Sequence, residues 1–155
     1  MKQLIACLCI IFLICCKQSD LFQAYKSINS MNWHYHEAIS FDVDISDTIS
    51  LYDIDINLRH NGNYKYKNCW VWVHFIYPSG EKHSVRKNLQ LCDKHGQWYG
   101  TGLNNTFDVR NTIQTDAKFQ EKGVHKISIE QNMRLNPLPD IIDVGLRIKR
   151  KSAPY

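Results

Sequence analysis

The residues whose types and spacing could support chemistry are few, and most of them stand close together in the chain. His34 and His36 lie two apart beside Glu37, which could begin a metal site. No third spaced ligand and no HExxH helix accompanies them, so ordinary polar positions account for all three. Asp42, Asp44, Asp53 and Asp55 fall on alternate positions and could line one face with oxygens for calcium. The DxDxDG-type spacing of a calcium loop is absent, and a solvated sheet face accounts for the same residues. No metal and no cofactor is expected. No GxSxG elbow, HExxH or Walker glycine loop occurs either, so the chain is not read as an enzyme.

Two further groups could bind rather than react. Trp98 and Tyr99 are flanked by Gly96, Gly100 and Gly102, which could expose the pair for stacking on a sugar or a partner. The commoner use of such aromatics is to plug the end of a sandwich. Met133, Arg134, Leu135 and Leu138 sit in a segment punctuated by Pro137 and Pro139. Apolar residues beside an arginine, on a loop held by a sheet, carry the compositional bias of interface centres. These six residues are the candidate partner-binding set, with the alternative that Leu138 merely caps the core.

The N-terminus places the chain. Lys2 and the apolar run from Leu4 to Cys16 have the form of a secretory signal and are too short for a membrane span. The run ends in Leu13-Ile14-Cys15-Cys16, which resembles a lipobox. Cys16 is the expected lipidation site, because the residue before Cys15 would be the bulky Ile14. Residues 1–15 are then the signal, 16–32 a lipid-anchored tether, 33–150 the domain and 151–155 a short tail. The mature chain has room for a single core.

Composition excludes other classes. Of 155 residues 44% are hydrophobic and 22% charged, which is ordinary for a globular protein, so disorder is not the default. The net charge of +4 is small and its basic residues are scattered except at the tail, so nucleic acid is not a partner.

Period-two patterning positions the rest. Phe41, Val43 and Ile45, then Tyr52, Ile54, Ile56 and Leu58, alternate with polar residues and read as strands with one wet face. Cys69 to Tyr77 is an unbroken apolar run and reads as a central strand. Ser84 to Cys92, Phe107 to Ile113, Val124 to Gln131 and Ile142 to Ile148 complete the set, with Asp116 to Lys122 a connector. Gly145 suggests a bulge or a close backbone approach. Short strands at regular spacing without a long helix predict an all-β fold, a single antiparallel β-sandwich, jelly-roll-like or Ig-like.

A hairpin symmetric about Gly80 and Glu81 would place Trp70 opposite Leu91, Trp72 opposite Leu89 and Ile76 opposite Val85 on one core face. The same register sets Cys69 against Cys92. In an exported chain those two thiols are then expected to form a disulfide, the alternative being two buried thiols if a single bulge shifts the register by one.

Three stretches carry a resemblance: NLRHNGNYKYKNCWVWV from Asn57, GQWYGTGL from Gly96 and ISIEQNMRLNPLPDIIDVGLRI from Ile127. In that order, behind a lipobox start, they closely resemble the GldH family of gliding-motility lipoproteins of the Bacteroidota. The resemblance implies an outer-membrane lipoprotein required for gliding, a movement linked to type IX secretion. Its partners would be the bilayer, through the Cys16 acyl anchor, and other gliding or secretion proteins. It implies no enzyme activity and no cofactor, and a small-molecule ligand is not expected. Lys17-Gln18-Ser19-Asp20 holds one acid behind a base, unlike the acidic run that sends some lipoproteins of this phylum to the cell surface. The expected orientation is therefore towards the periplasm. A carbohydrate-binding sandwich, with Trp98, Tyr99 and the loop around Arg134 as its groove, is the alternative.

Overall fold

The computed structural model describes residues 20–151, and these form an antiparallel β-sandwich. The strands are β1 (Asp20–Ser27), β2 (Asn32–Trp33), β3 (Ile39–Ile45), β4 (Tyr52–Asn61), β5 (Asn68–Ile76), β6 (Lys82–Gln90), β7 (Thr101–Leu103), β8 (Thr106–Ala117), β9 (Gly123–Gln131), β10 (Leu138–Pro139) and β11 (Ile141–Arg150). One sheet has the order β1-β11-β4-β8-β7 and the other β3-β9-β5-β6; β2 and β10 pair beside them. The signal segment and Cys16 lie outside the described residues.

Alternation explains the layers. Ile54, Ile56 and Leu58 of β4 and Val144, Leu146 and Ile148 of β11 stand opposite one another and are fully or almost fully buried. They meet Phe41, Val43, Val71, Val73, Ile127 and Ile129 from the other sheet in a single core. Each position along a strand changes face, so these residues leave their neighbours pointing outward on both sheets.

The domain begins earlier than the sequence suggests. Residues expected to form a tether instead build β1, which runs antiparallel to β11 from Asp20 to Ser27. Its ladder bonds to β11 and the packing of Phe22 and Ala24 on the core hold it in the sandwich. The expected connector at Asp116 is in part the end of β8, which runs twelve residues.

The four aspartates do not share a face. Asp42 and Asp44 point outward from β3, in the four-stranded sheet, while Asp53 and Asp55 point outward from β4, in the five-stranded one. Chain crossover between β3 and β4 separates the pairs by the thickness of the sandwich, so no shared calcium face exists.

The β5–β6 register also differs. Cys69 stands opposite Leu89, Trp72 opposite Arg86 and Val73 opposite Val85. The hairpin closes through Tyr77 N–H to Glu81 O at 2.9 Å and Gly80 N–H to Tyr77 O at 2.8 Å, with Gly80 at φ 87°. Three residues, Pro78 to Gly80, therefore form the loop, and the third takes the left-handed conformation that glycine allows. An odd loop length moves the opposite strand by an odd number and exchanges inner and outer faces. Cys69, Val71, Val73 and Phe75 are buried; Trp70 and Trp72 face outward.

Candidate functional site

The outward face of the four-stranded sheet is where exposed aromatic and polar side chains gather. Trp72 of β5 lies between Arg86 of β6 and Glu130 of β9 in the ladder. Its side chain remains 36% exposed, and its ring stacks at 20° with the His74 ring at a centroid distance of 6.4 Å. Ser84 Oγ is 2.7 Å from His74 Nδ1, and Glu130 Oε2 is 3.7 Å from Nε2. These groups border a cavity of about 520 Å³ that Tyr35 and His36 also line. The sequence reading placed the tryptophan pair in the core; the three-residue hairpin loop turns it out instead.

A second hollow of about 300 Å³ adjoins the first through Asn132 and is bordered by Tyr66, Trp70, Arg86, Met133 and Arg134. The Arg86 guanidinium lies 4.3 Å from the centre of the Trp70 ring, a cation–π contact. Met133 is fixed, because Trp70 N–H donates to its Sδ at 3.2 Å and its own N–H donates to Gln131 Oε1 at 2.8 Å. Buried Gln131 also donates to the carbonyls of Trp33 and Leu135 and so ties the loop to the core. Tyr35 closes the arrangement, donating its N–H to Asn136 Oδ1 at 2.7 Å and its hydroxyl to Met133 O at 2.5 Å. Tyr35 was not legible as a support, since it acts across about a hundred residues of chain, and neither was the Gln131 link to Trp33, which spans 98.

The structure thus brings Met133 and Arg134 to one hollow and sends the other candidates elsewhere. Leu138 is fully buried and pairs with Trp33, so the core-cap alternative holds for it. Leu135 is 42% exposed but borders neither hollow. Trp98 is half-buried and occupied by packing, with the His60 ring at 4.6 Å and Phe107 at 6.1 Å. Tyr99 is exposed and borders a separate hollow of about 380 Å³ with Tyr25, Gly100, Asp108 and Arg110. Trp98 and Tyr99 therefore form neither a coplanar stacking pair nor a common groove with Arg134.

That third hollow edges a polar network on the outer face of the five-stranded sheet. Tyr25 donates to Asp108 Oδ2 at 3.1 Å and accepts from Asn57 Nδ2 at 2.7 Å. Arg59 bridges Asp108 at 3.1 Å and Asp143 at 2.6 Å, and Ser27 donates to Asp143 at 2.6 Å. Burial, then the Asp108 carboxylate, pushes the Tyr25 hydroxyl above its ordinary value. Farther along, Arg147 joins Asp20 at 2.7 Å to Asp55 at 2.9 Å. Side chains of β1, β4, β8 and β11 are thereby linked, which fastens the first strand to the sheet.

Glu37 accepts from the His34 backbone at 3.3 Å, and among the described residues no three His, Cys, Asp or Glu side chains converge as metal ligands. Cys69 and Cys92 are free, buried thiols. Cys69 Sγ lies 3.8 Å from Trp70 O and Cys92 Sγ 3.8 Å from Lys67 O, so the disulfide expected from the symmetric register is not formed.

Fold and face together define a β-sandwich protein with an aromatic, polar-edged outer sheet, preceded in sequence by a lipoprotein-type leader. The family model described as GldH lipoprotein matches residues 20–148, and the chain belongs to that family. A gliding motility lipoprotein GldH homolog of Christiangramia forsetii is 30% identical over 148 residues, covering 91% of this chain and 90% of that protein. Gliding motility lipoprotein GldH of Flavobacterium johnsoniae is 31% identical over 148 residues, covering 91% of each. Among solved structures, TmCBM61 in complex with beta-1,4-galactotriose is 13% identical with a TM-score of 0.36, covering 83% of this chain and 88% of that one. The infectious bursal disease virus VP2 subviral particle gives 16% identity and a TM-score of 0.31, over 84% of this chain and 29% of that one.

Proposed function

We propose that this protein is an outer-membrane lipoprotein that supports gliding motility as a non-enzymatic accessory of the gliding and type IX secretion apparatus, acting through protein contacts. The observation that carries the contact surface is the hollow of Trp70, Tyr66, Arg86, Met133 and Arg134. Tryptophan, tyrosine, methionine and arginine are the residue types enriched where partners bury surface. Two guanidinium groups beside an apolar floor suit a protein that presents an apolar side chain flanked by a carboxylate.

Anchoring follows from the leader. Cys16 carries the acyl chain, and only residues 17–19 separate it from β1, which keeps the sandwich near the periplasmic surface of the membrane. No helix among the described residues is long and apolar enough to cross a membrane. Ser84, His74 and Glu130 superficially resemble a hydrolytic triad. Strand N–H groups lie in the plane of the sheet rather than along its normal, so none is aimed outward at an oxyanion above these residues. His74 Nε2 also has no hydrogen-bond partner and stands 3.7 Å from Glu130, so the carboxylate does not hold the ring as a triad acid does, which supports a binding role over a catalytic one.

Arg134→Ala tests the reading. A surface arginine contributes within about 0.5 kcal/mol to stability, so folding and anchoring should persist while gliding and release of secreted cargo fall. Normal motility with unchanged melting temperature would remove the hollow as a partner site. Cys16→Ser should abolish incorporation of labelled fatty acid, and persistent labelling would refute the anchor.

A further inference from the structure

We infer that the cavity between Trp72 and Tyr35 is a saccharide-binding site for a short neutral oligosaccharide. Its two large surfaces are aromatic and each is 36% exposed. Neither wall depends on a ligand to hold it. Trp72 is set by the ladder and by stacking on His74, and Tyr35 by hydrogen bonds to Asn136 and Met133. Little side-chain freedom is then lost on binding.

Three polar groups border the same space with capacity to spare. Among the described residues the Glu130 carboxylate, the Asn132 side-chain amide and the His36 imidazole make no hydrogen bond within the chain. His74, held by Ser84 through Nδ1, leaves its buried Nε2 without a hydrogen-bond partner 3.7 Å from the Glu130 carboxylate. The set offers an acceptor-only group and two groups that both donate and accept. A pyranose matches that division: its C–H face lies on an aromatic ring while its hydroxyls donate and accept around the edge.

Other ligand classes leave part of the site unmatched. An acyl chain would strip water from Glu130 without replacing a hydrogen bond. Nucleic acid would bring phosphate towards the same carboxylate, and neither arginine of the neighbouring hollow lines this cavity. A proline-rich peptide could use the aromatics but offers almost no N–H donor to Glu130. The volume of about 520 Å³ falls within the range of small-ligand sites and admits more than one sugar ring. This site is independent of the proposed protein contact, with which it shares only Asn132.

The test uses the full chain purified from membranes in a detergent without a sugar headgroup. Cellotriose, xylotriose, maltotriose and chitotriose are titrated by calorimetry and tryptophan fluorescence, with decaproline as the peptide probe. At least one trisaccharide should bind and change the fluorescence, and Trp72→Ala should weaken it by about tenfold or more. Glu130→Gln should weaken it severalfold without altering the melting temperature, and Arg134→Ala should leave it unchanged. Should Trp72→Ala fail to fold, Trp72→Phe and Glu130→Gln carry the same comparison. No binding of any trisaccharide up to about 10 mM, binding that survives loss of the Trp72 ring, or binding of decaproline alone would overturn the assignment.

Discussion

The ring of Tyr25 lies across Gly145 on the neighbouring strand, so closely that a Cβ on Gly145 would stand 2.8 Å from both Cδ1 and Cε1. That approach lets the tyrosine hydroxyl reach Asp108 and Asn57 on two strands farther into the sheet. Gly145→Ala should displace the ring and cost about 1–3 kcal/mol in urea denaturation. Tyr25→Phe should cost about 1 kcal/mol through its lost hydrogen bonds. If the glycine exists to admit this ring, the double variant should cost less than the two single losses combined. Simple additivity would break the link. Because the folded-state value of Tyr25 is raised, the stabilisation is complete below its unfolded value and is lost as pH rises through the folded one. Tyr25→Phe should therefore lessen the alkaline loss of stability above about pH 10.

Leu138, which opens β10, and Leu135, in the loop before it, stand three apart but belong to different environments. Leu138→Ala empties a fully buried site beside Trp33 and should cost about 2–5 kcal/mol. Leu135→Ala, at an exposed position, should stay within about 0.5 kcal/mol. Thermal melts of the two variants decide this directly; equal losses would mean that the loop packs as one unit.

The strands and the inner-face residues of β3, β4, β9 and β11 were legible because apolar and polar residues alternate in them. Such alternation fixes the face without any knowledge of the partner strand. In β5 the run from Cys69 to Phe75 is apolar on both faces except at His74, one polar residue that sets the parity only weakly, so the face was read from the hairpin loop. One loop residue more or less then decides whether Trp72 is core or surface, and the symmetric guess buried it. Met133 and Arg134 were singled out from composition alone, and the structure sets both beside one hollow. Tyr35, Gln131, Glu130 and His74 were not, because their association depends on the pairing of β5 with β9 and on a loop contact of long sequence separation. In β1 only Phe22 and Ala24 pack on the core, a signal too short to separate an edge strand from a tether.

Free thiols at Cys69 and Cys92 make a chemical prediction. Burial pushes the Cys69 thiol up to about 12, far from the thiolate that alkylating reagents need. Intact mass should be the same with and without reductant once the leader is accounted for. Iodoacetamide should leave Cys69 unmodified in the native protein and modify it in urea. A mass two hydrogens lighter without reductant would mean that β6 can shift to bring Cys92 to Cys69.

His60 supplies the pH dependence on the acid side. Its side chain is fully buried, with the Trp98 ring at 4.6 Å and the Phe107 ring at 5.7 Å. Nδ1 lies 2.9 Å from the carbonyl of Asn61, while Nε2 has no hydrogen-bond partner. Burial lowers the folded-state value; Asn61 and Asp140 offset that only in part. In the unfolded chain the imidazole takes up its proton near pH 6.5, whereas the buried ring resists until a lower pH. Between those values the unfolded state binds more protons, so stability rises with pH and falls on acidification. The urea midpoint should drop between about pH 7.5 and pH 5 in the native sequence. His60→Phe keeps an aromatic ring beside Trp98 but removes the titrating group, so the midpoint should fall less over that interval. The substitution also gives up the contact to Asn61, which lowers the midpoint at every pH and leaves the slope as the informative quantity. An unchanged slope would assign the acid sensitivity to other groups and leave His60 as packing for Trp98 alone.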